Sequence, residues 1–393
     1  MLFLYSVFLI GLAILVVAGV IEQRRHTRNL LSINTRILVN GIRGKSSITR
    51  LCAGALRGGG MRTMAKTTGS AARVIWPDGT ESPVYRKFEL PNVVEQIGVV
   101  RLAAAERAEA VVMECMAVEP ALQELNQTKL VRSNIGVISN VREDHLTEMG
   151  PTLADVARSL SRSMPRGGVC LTAESQWLSV LQAEAKLRGC RLIHVDPLTV
   201  TDDELDGFSY FTFKENVAIA LGIASELGIS RAAALRGMWA AEPDPGVLTV
   251  ERYSVGDRSF HFANVFAAND PNSTIMNFRQ LLDREEIRPP IFTLINCRPD
   301  RIERNRQMGG LVPDLLTEKL ILIGHPTKSA LTAIPRTWRG KVIDMGGPDK
   351  EPDEIFRAIV GEVEGEAAVV AIGNIHGQGE RLLEHLESLG DLR

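Results

Sequence analysis

The sequence predicts an α/β protein in which two domains, each with a mostly parallel sheet, follow an N-terminal apolar helix. The first 21 residues, Met1–Ile21, carry no charge, and short apolar runs then alternate with helical patterns. Such alternation is typical of a parallel sheet covered by helices. It breaks at Pro243, Pro245 and Gly246, which favours a domain boundary there. We therefore expect an anchor over residues 1–22, a central domain over 23–243 and a smaller domain over 244–393.

The apolar run at the start of the chain is long enough to cross a membrane. As a helix, Met1–Ile21 would extend about 31 Å, close to the thickness of a bilayer core. A signal peptide would carry basic residues ahead of the run, and a buried core helix would usually show a polar face. Basic residues instead follow the run, which favours a single-pass anchor with both domains in the cytosol. They also suit anionic lipid headgroups: Arg24, Arg25 and Arg28.

Composition excludes several other classes of protein. With 393 residues, 45% of them hydrophobic, the chain can build large cores, and its net charge of −2 gives no nucleic-acid footprint. The five cysteines include no Cys-x-x-Cys pair, which disfavours a zinc site or a disulfide framework.

The predicted elements fall into two series, one on each side of the boundary. In the first series we expect helices over 47–56, 153–163, 177–187 and 216–227, and strands over 36–40, 110–114, 134–140, 168–172 and 191–195. In the second we expect a helix over 352–363 and strands over 260–265, 291–296, 320–324, 342–345 and 367–372.

The segment Asn40–Ser47 is the strongest functional signal. It reads N-G-I-R-G-K-S-S between a predicted strand and a predicted helix, an arrangement in which backbone N–H groups bind phosphate. Lys45 would supply a cation for the outer phosphates, and Ser46 a hydroxyl for magnesium. The full P-loop pattern has a further glycine at the position of Val39. An exposed turn that carries a lysine is therefore the alternative to a phosphate-binding loop.

Polar residues follow other predicted strands, where ligands bind in open parallel sheets. Glu114 ends one strand and is either a magnesium ligand or part of a salt bridge; Asp144 and His145 follow another and are either metal ligands or a surface pair. The second domain has three such loops, with turn chemistry as the alternative to ligand binding: 264–274, 296–304 and 373–379.

These motifs resemble the Mur ligase superfamily, which includes folylpolyglutamate synthetase. The shared pattern is G-x-x-G-K-S from Gly41, the glutamate Glu114, and N-x-x-x-D-H-L from Asn140. Within that superfamily the chain is similar to the PgsB/CapB family, the ATP-dependent ligase subunit of bacterial poly-γ-glutamate synthase. The further matches are M-E-C-M-A-V, D-P-G, N-C-R-x-D-R and G-N-I-H-G, which begin at residues 113, 244, 296 and 373.

The resemblance implies a fold and a set of residue roles. It implies a central P-loop ATPase domain and a Rossmann-like C-terminal domain that use ATP and Mg²⁺. Lys45, Glu114 and His145 would be catalytic. ATP would be bound by Asn40, Gly41, Arg43, Gly44, Lys45, Ser46, Ser47, Asn264, Asn269 and Asp270; magnesium by Ser46, Glu114 and His145; and substrate by Thr67, Thr68, Arg298, Arg301 and His376.

The implied activity is polymerisation of glutamate through its γ-carboxyl group by way of an acyl phosphate. The implied partners are glutamate, the growing chain and PgsC/CapC-like and PgsA/CapA-like membrane subunits, in an oligomeric assembly at the bacterial cell membrane. A folylpolyglutamate-type ligase, a membrane-tethered ATPase without ligase chemistry and an inactive scaffold are the alternatives. The chain departs from many Mur enzymes in having no lysine over 171–175, and no basic residue over 247–249.

Overall fold

The computed structural model describes residues 2–68, 72–84, 86, 92–244, 248–266, 268, 270–348 and 350–390. The chain divides into two compact units, Met1–Asp244 and Pro245–Arg393. The predicted boundary after residue 243 lies beside this division.

An eight-stranded sheet forms the centre of the first unit, in the order β4-β3-β2-β5-β1-β6-β7-β8. All neighbours from β2 to β8 pair in parallel, and β3 and β4 add an antiparallel edge. The strands are β1 (Thr35–Asn40), β2 (Thr63–Lys66), β3 (Arg73–Ile75), β4 (Glu81–Pro83), β5 (Ala110–Glu114), β6 (Ile135–Ile138), β7 (Val169–Thr172) and β8 (Arg191–His194).

Helices cover this sheet and pack on apolar cores on its two faces. They are α1 (Leu2–Leu31), α2 (Lys45–Gly58), α3 (Glu95–Ala105), α4 (Pro120–Leu125), α5 (Leu146–Met149), α6 (Leu153–Leu160), α7 (Leu178–Leu187), α8 (Asp202–Asp206), α9 (Lys214–Glu226) and α10 (Arg231–Trp239). A π-helical turn spans Asn126–Val131, and 3₁₀ turns span Ser161–Ser163 and Pro197–Thr199.

The second unit holds a six-stranded sheet in the order β13-β12-β11-β14-β10-β9, parallel except for β9. Its strands are β9 (Thr249–Val255), β10 (Arg258–Asn264), β11 (Ile291–Cys297), β12 (Thr317–Gly324), β13 (Lys341–Asp344) and β14 (Glu366–Gly373). Its helices are α11 (Pro271–Asp283), α12 (Ile302–Gly310), α13 (Lys328–Leu331), α14 (Pro352–Glu362) and α15 (Gln378–Ser388), with a 3₁₀ turn over Val312–Leu315. The predicted α/β class and mostly parallel sheets are confirmed.

Helix α1 is longer than the predicted anchor. Its apolar side chains from Tyr5 to Ile21 are exposed, and it is long and apolar enough to cross a membrane. The helix continues past residue 22 into the first unit, where Leu30 is buried and His26 Nε2 lies 3.0 Å from the Leu130 carbonyl oxygen. The apolar segment is therefore continuous with a helix that packs on the core.

Two helices of the first unit meet through glycines. A Cβ on Gly58 of α2 would lie 2.2 Å from the Ala233 carbonyl oxygen, and one on Gly237 of α10 would lie 2.1 Å from that of Gly54. Contacts this short require residues without side chains. The glycines therefore let the backbones of α2 and α10 touch.

Candidate active site

The predicted phosphate loop lies at the centre of the first sheet. β1 has β5 on one side and β6 on the other, and all three run in parallel. Their carboxyl ends therefore lie at one edge of the sheet, which brings together the turn after β1, Glu114 at the end of β5 and the loop after β6.

Two glycines shape the turn between β1 and α2. Gly41 has φ of 127° and Gly44 has φ of 77°, both in the region that favours glycine. A Cβ on Gly41 would lie 2.0 Å from Ser139 Oγ, so no larger residue fits at this position. α2 then begins at Lys45 without a side-chain cap. Its first backbone N–H groups are therefore suited to an anion.

The Lys45 side chain folds back over the turn. Its Nζ donates to the carbonyl oxygens of Gly41, at 2.9 Å, and Ile42, at 3.1 Å. Burial lowers the pKa of Lys45, and the negative charge of Glu114 opposes that shift. Within the described residues, backbone carbonyls therefore hold the ammonium over the turn, and no carboxylate forms an ion pair with it.

Glu114 joins three segments at this edge. Its side chain is buried, and its Oε2 accepts hydrogen bonds from Ser46 Oγ, at 2.8 Å, and from the backbone N–H of Thr68, at 2.7 Å. These bonds connect the start of α2, the end of β5 and the loop after β2. Glu114 forms no ion pair with any residue in the described ranges, so its buried carboxylate interacts with the charge of Lys45 only from beyond contact distance.

The oxygens of Ser46 and Glu114 fit magnesium. Mg²⁺ prefers oxygen ligands and is commonly bound by one or two carboxylates together with substrate phosphates and water. The described part of the chain contains no cluster of three or more His, Cys, Asp or Glu side chains that could hold a metal by itself. A magnesium ion here would therefore depend on the nucleotide for part of its ligand shell.

The loop after β6 is bound to the turn after β1. Asn140 Oδ1 accepts from the backbone N–H of Arg43 at 3.0 Å, and Arg43 Nη2 lies 3.2 Å from Asp144 Oδ2. His145 has a left-handed backbone with φ of 50°, and its half-exposed imidazole Nε2 lies 3.8 Å from Asp144 Oδ1. The contacts of Arg43 and Asp144 therefore fix this loop, while a role for His145 in binding magnesium stays a prediction.

Two other predicted site residues have supporting contacts. The buried amide of Asn40 donates to Gln123 Oε1 at 2.8 Å and to Ser163 Oγ at 2.9 Å. Thr67 Oγ1 accepts from the backbone N–H of Arg73 at 3.0 Å. These side chains hold β1 and the loop after β2 in place, and Ser47 lies in the first turn of α2.

Sequence reasoning missed an ion cluster centred on Arg50 of α2. This buried guanidinium pairs with Glu81 of β4 and lies 3.2 Å from Asp244 Oδ1. Burial raises the pKa of Asp244 to about 6, although Arg50 opposes that shift. The sequence signal for this cluster was the charge of Arg50 inside the apolar run after Ser47. Its partners could not be predicted because they are distant in sequence.

In the second unit, two predicted ATP-binding residues follow β10. The buried Asn264 accepts from the backbone N–H of Phe266 at 3.3 Å. Asp270 caps α11 by accepting from the backbone N–H and the hydroxyl of Ser273, at 2.9 and 2.7 Å. Asn269 lies outside the described residues. The assigned ATP contacts of all three stay predictions.

The predicted substrate residues of the second unit have carboxylate neighbours. Arg298 forms a two-pronged pair with Asp300, with both distances at 2.9 Å, and Arg301 Nε lies 3.7 Å from the same carboxylate. His376 Nδ1 lies 3.2 Å from Glu380 Oε2. A substrate carboxylate would have to compete with these acidic side chains.

Comparison with known proteins gives matches over both units. Residues 39–222 match the Mur ligase middle domain, and residues 250–389 match the poly-gamma-glutamate synthase CapB C-terminal domain. The chain is 36% identical to PGA synthase CapB of Bacillus subtilis (strain 168) over 382 residues, covering 96% of each chain. It is 37% identical to the capsule biosynthesis protein CapB of Bacillus anthracis over 385 residues, covering 96% of this chain and 82% of that protein.

A solved structure supports the fold. E. coli FolC in complex with ADP, without folate substrate, matches with a TM-score of 0.70 at 16% sequence identity, covering 94% of this chain and 93% of that one. At this low identity the likeness concerns the fold alone.

Proposed function

This chain belongs to the CapB family of poly-γ-glutamate synthases, and we propose that it is an ATP-dependent ligase that joins glutamate units through their γ-carboxyl groups. The observation that supports this most directly is the buried contact of Glu114 with Ser46 and Thr68 beside the Lys45 turn. It joins a carboxylate and a hydroxyl next to the turn that carries the Lys45 cation, a combination that suits a nucleoside triphosphate bound with magnesium.

The proposed reaction has two steps. A γ-carboxylate oxygen of glutamate attacks the γ-phosphorus of ATP, so that the bond to the β-phosphate oxygen breaks and ADP leaves. The nitrogen of a second glutamate amine then attacks the acyl phosphate at its carbonyl carbon. Inorganic phosphate leaves, the amine loses a proton, and a γ-amide forms.

The residues of this chain contribute positioning and charge. Lys45 and the N–H groups at the start of α2 bind the phosphates and stabilise the charge that develops on them during transfer. Ser46 and Glu114 would hold magnesium, which neutralises phosphate charge when bound. Thr68 fixes the orientation of Glu114 through its backbone N–H.

The experiment that tests this function uses native membranes supplied with ATP, Mg²⁺ and labelled glutamate. We expect labelled polymer with γ-amide bonds, and ADP release that depends on glutamate. ADP release without glutamate, and no γ-linked product, would instead indicate an ATPase without ligase chemistry. Turnover that requires a folate would indicate a folylpolyglutamate-type ligase.

We further propose that α1 anchors the enzyme in the bacterial cell membrane with both units in the cytosol, beside membrane partner subunits. The exposed apolar residues from Tyr5 to Ile21, and the buried Leu30 beyond them, support this division of the helix. Deletion of Met1–Ile21 is expected to give a soluble protein that still binds ATP, which equilibrium binding of a fluorescent nucleotide would measure. Deletion through Leu31 is the matched comparison, and it should destabilise the first unit because burying one leucine contributes about 1.5–3 kcal/mol.

A further inference from the structure

A cavity of about 420 Å³ lies beside α2 in the first unit. Gly58 and Gly237, which bring α2 and α10 together, form part of its wall, and the turn around Asp78 forms another part. Its volume falls in the range of about 300–1,000 Å³ that is usual for small-molecule sites. None of the roles assigned above uses this cavity.

Arg57 of α2 contributes an unusual cation to the cavity lining. The side chain is half-buried, and its Nη1 is buried without a hydrogen-bond partner among the described residues. Burial lowers the pKa of Arg57, and the carboxylates of Glu81 and Asp78 offset that shift only in part. By contrast, the neighbouring Arg50 is paired with two carboxylates. A buried guanidinium N–H without an acceptor is costly unless a ligand supplies one.

The charges around Arg57 indicate what kind of ligand would fit. Arg236 also lines the cavity, is exposed and forms no ion pair within the part of the chain that the structure describes. Asp78 and Glu242 line it as well. The arginines would repel a simple cation, and the carboxylates would oppose a polyphosphate. A ligand that carries carboxylates together with an ammonium matches both sets of charges.

The cavity lies along the helix that begins at the phosphate turn. Arg50, also in the lining, is five residues beyond Lys45 and Arg57 is twelve, which corresponds to roughly 8 and 18 Å of helix. A second cavity of about 740 Å³ shares Arg57 and Asp78 with the first. Arg57 therefore lines both cavities, and an extended ligand bound to it could occupy space in each of them.

We propose that Arg57 and Arg236 form a subsite that binds the carboxylates of the glutamyl substrate, either as free glutamate or as a γ-linked chain. This inference rests on the proposed ligase function. A γ-linked chain keeps one free α-carboxylate on every unit, so two separated arginines can bind neighbouring units of the chain. Asp78 and Glu242 can accept hydrogen bonds from the ammonium of free glutamate or of the amino end.

The test measures ligand binding to the full-length protein in detergent. Wild type, Arg57→Gln and Arg236→Gln are titrated with glutamate, with a γ-linked glutamate pentamer and with an ATP analogue. Each charge-assisted hydrogen bond is worth about 1.5–3 kcal/mol, so we expect the Kd for at least one glutamyl ligand to rise at least tenfold in both variants. The affinity for the ATP analogue should stay unchanged. Whether glutamate or the pentamer responds identifies which source of carboxylate the subsite binds.

Two controls make the result decisive. Arg158→Gln is the matched variant, because Arg158 belongs to the same unit, lines neither cavity and is paired with Asp155, and the affinity of this variant for both glutamyl ligands should stay at the wild-type value. Arg57→Lys, which keeps the charge, should recover part of the lost affinity. If Arg57→Gln fails to bind the ATP analogue, the exposed Arg236 variant decides the outcome.

Unchanged affinity for glutamate and pentamer in variants that still bind the ATP analogue would overturn the subsite. Glutamate-dependent ADP release by the wild type is measured in the same preparation. If wild-type release is present, the proposed function stands and only the subsite fails. If wild-type release is absent, the proposed function itself fails.

Discussion

The two sheets both carry polar residues at the carboxyl ends of their strands, but these residues are used differently. At the edge of the first sheet, neither Glu114 nor Lys45 forms an ion pair among the described residues, and Lys45 Nζ donates to two backbone carbonyls. At the edge of the second sheet, Asn296, Asn305 and Asn374 hydrogen-bond to one another and to neighbouring backbone. The first edge has buried charges that a ligand would pair, whereas the second uses neutral amides that bond to one another, with Asn296 Oδ1 left without a partner among the described residues.

This difference indicates that polar residues at the first edge serve ligand binding, whereas those at the second edge serve the stability of the fold. Charges kept without partners cost folding free energy and are retained where a ligand uses them. Amide networks fix loops in place through the hydrogen bonds that their members share. Substitutions at the first edge should therefore impair turnover more than folding, and substitutions in the second network should do the reverse.

The largest expected effect is that of Lys45→Ala. Loss of the ammonium over the turn should reduce glutamate-dependent ADP release by at least about a hundredfold, as for other groups that stabilise transition-state charge. ADP release from membranes containing the variant measures this. Lys129→Ala, which removes an exposed lysine of the same unit, should leave release unchanged. Normal ADP release by Lys45→Ala would show that the edge of the first sheet does not contribute this charge to the reaction.

Glu114→Gln should affect turnover and folding stability in different ways. The amide keeps the size of the side chain but cannot bind magnesium as a carboxylate does, so we expect turnover to fall about a hundredfold and the Mg²⁺ requirement to rise. Because the substitution also removes a buried charge that forms no ion pair among the described residues, the thermal midpoint should stay the same or increase. A lower midpoint with normal turnover would mean that Glu114 supports the fold rather than the reaction.

Asn374→Ala tests the second edge. It removes donors to the Asn296 carbonyl and to Asn305 Oδ1 and the acceptor for Arg304, so the free energy of unfolding should fall by about 1–3 kcal/mol. Chemical denaturation of the full-length protein in detergent measures this, with the exposed Asn272→Ala as the control in the same unit. A variant as stable as wild type but without turnover would place ligand binding at this edge and remove the contrast.

The smallest effect concerns Asp244 and pH. Its pKa in the folded protein is raised from 3.8 to about 6, so the folded state binds more protons than the unfolded state between these values. Stability contributed by this group should therefore fall as pH rises from about 4 to about 6. Asp244→Asn should lack this part of the pH dependence when denaturation midpoints are compared across that window. Parallel profiles for both proteins would contradict the assignment.

Much of the first edge could be predicted from sequence because the signals are local. Gly41, Gly44, Lys45 and Ser46 follow a strand and begin a helix, and the structure places Glu114 next to them through strand pairing. The apolar runs also located every strand of the two parallel series except β2. Local sequence patterns were enough to predict these strands and the phosphate turn, because residues that are adjacent in the chain form them.

The rest depended on contacts between distant residues. The partners of Arg50, Glu81 and Asp244, come from separate segments, so no spacing in the sequence reveals the cluster. The strands β3 and β4 are only three residues long each, and β3 pairs with β2 while β4 pairs with β3. An asparagine after a strand has the same sequence signal whether its amide faces a ligand or a neighbouring loop, which is why Asn374 could not be distinguished from a ligand-binding residue.

The most direct test of the account is a structure of the full-length protein with Mg²⁺ and a non-hydrolysable ATP analogue. We predict that the terminal phosphates lie against the turn from Gly41 to Ser46, within hydrogen-bond distance of Lys45 Nζ, with the cation contacting Ser46 and Glu114. An analogue bound elsewhere, with Lys45 still bonded to the Gly41 and Ile42 carbonyls, would contradict the account.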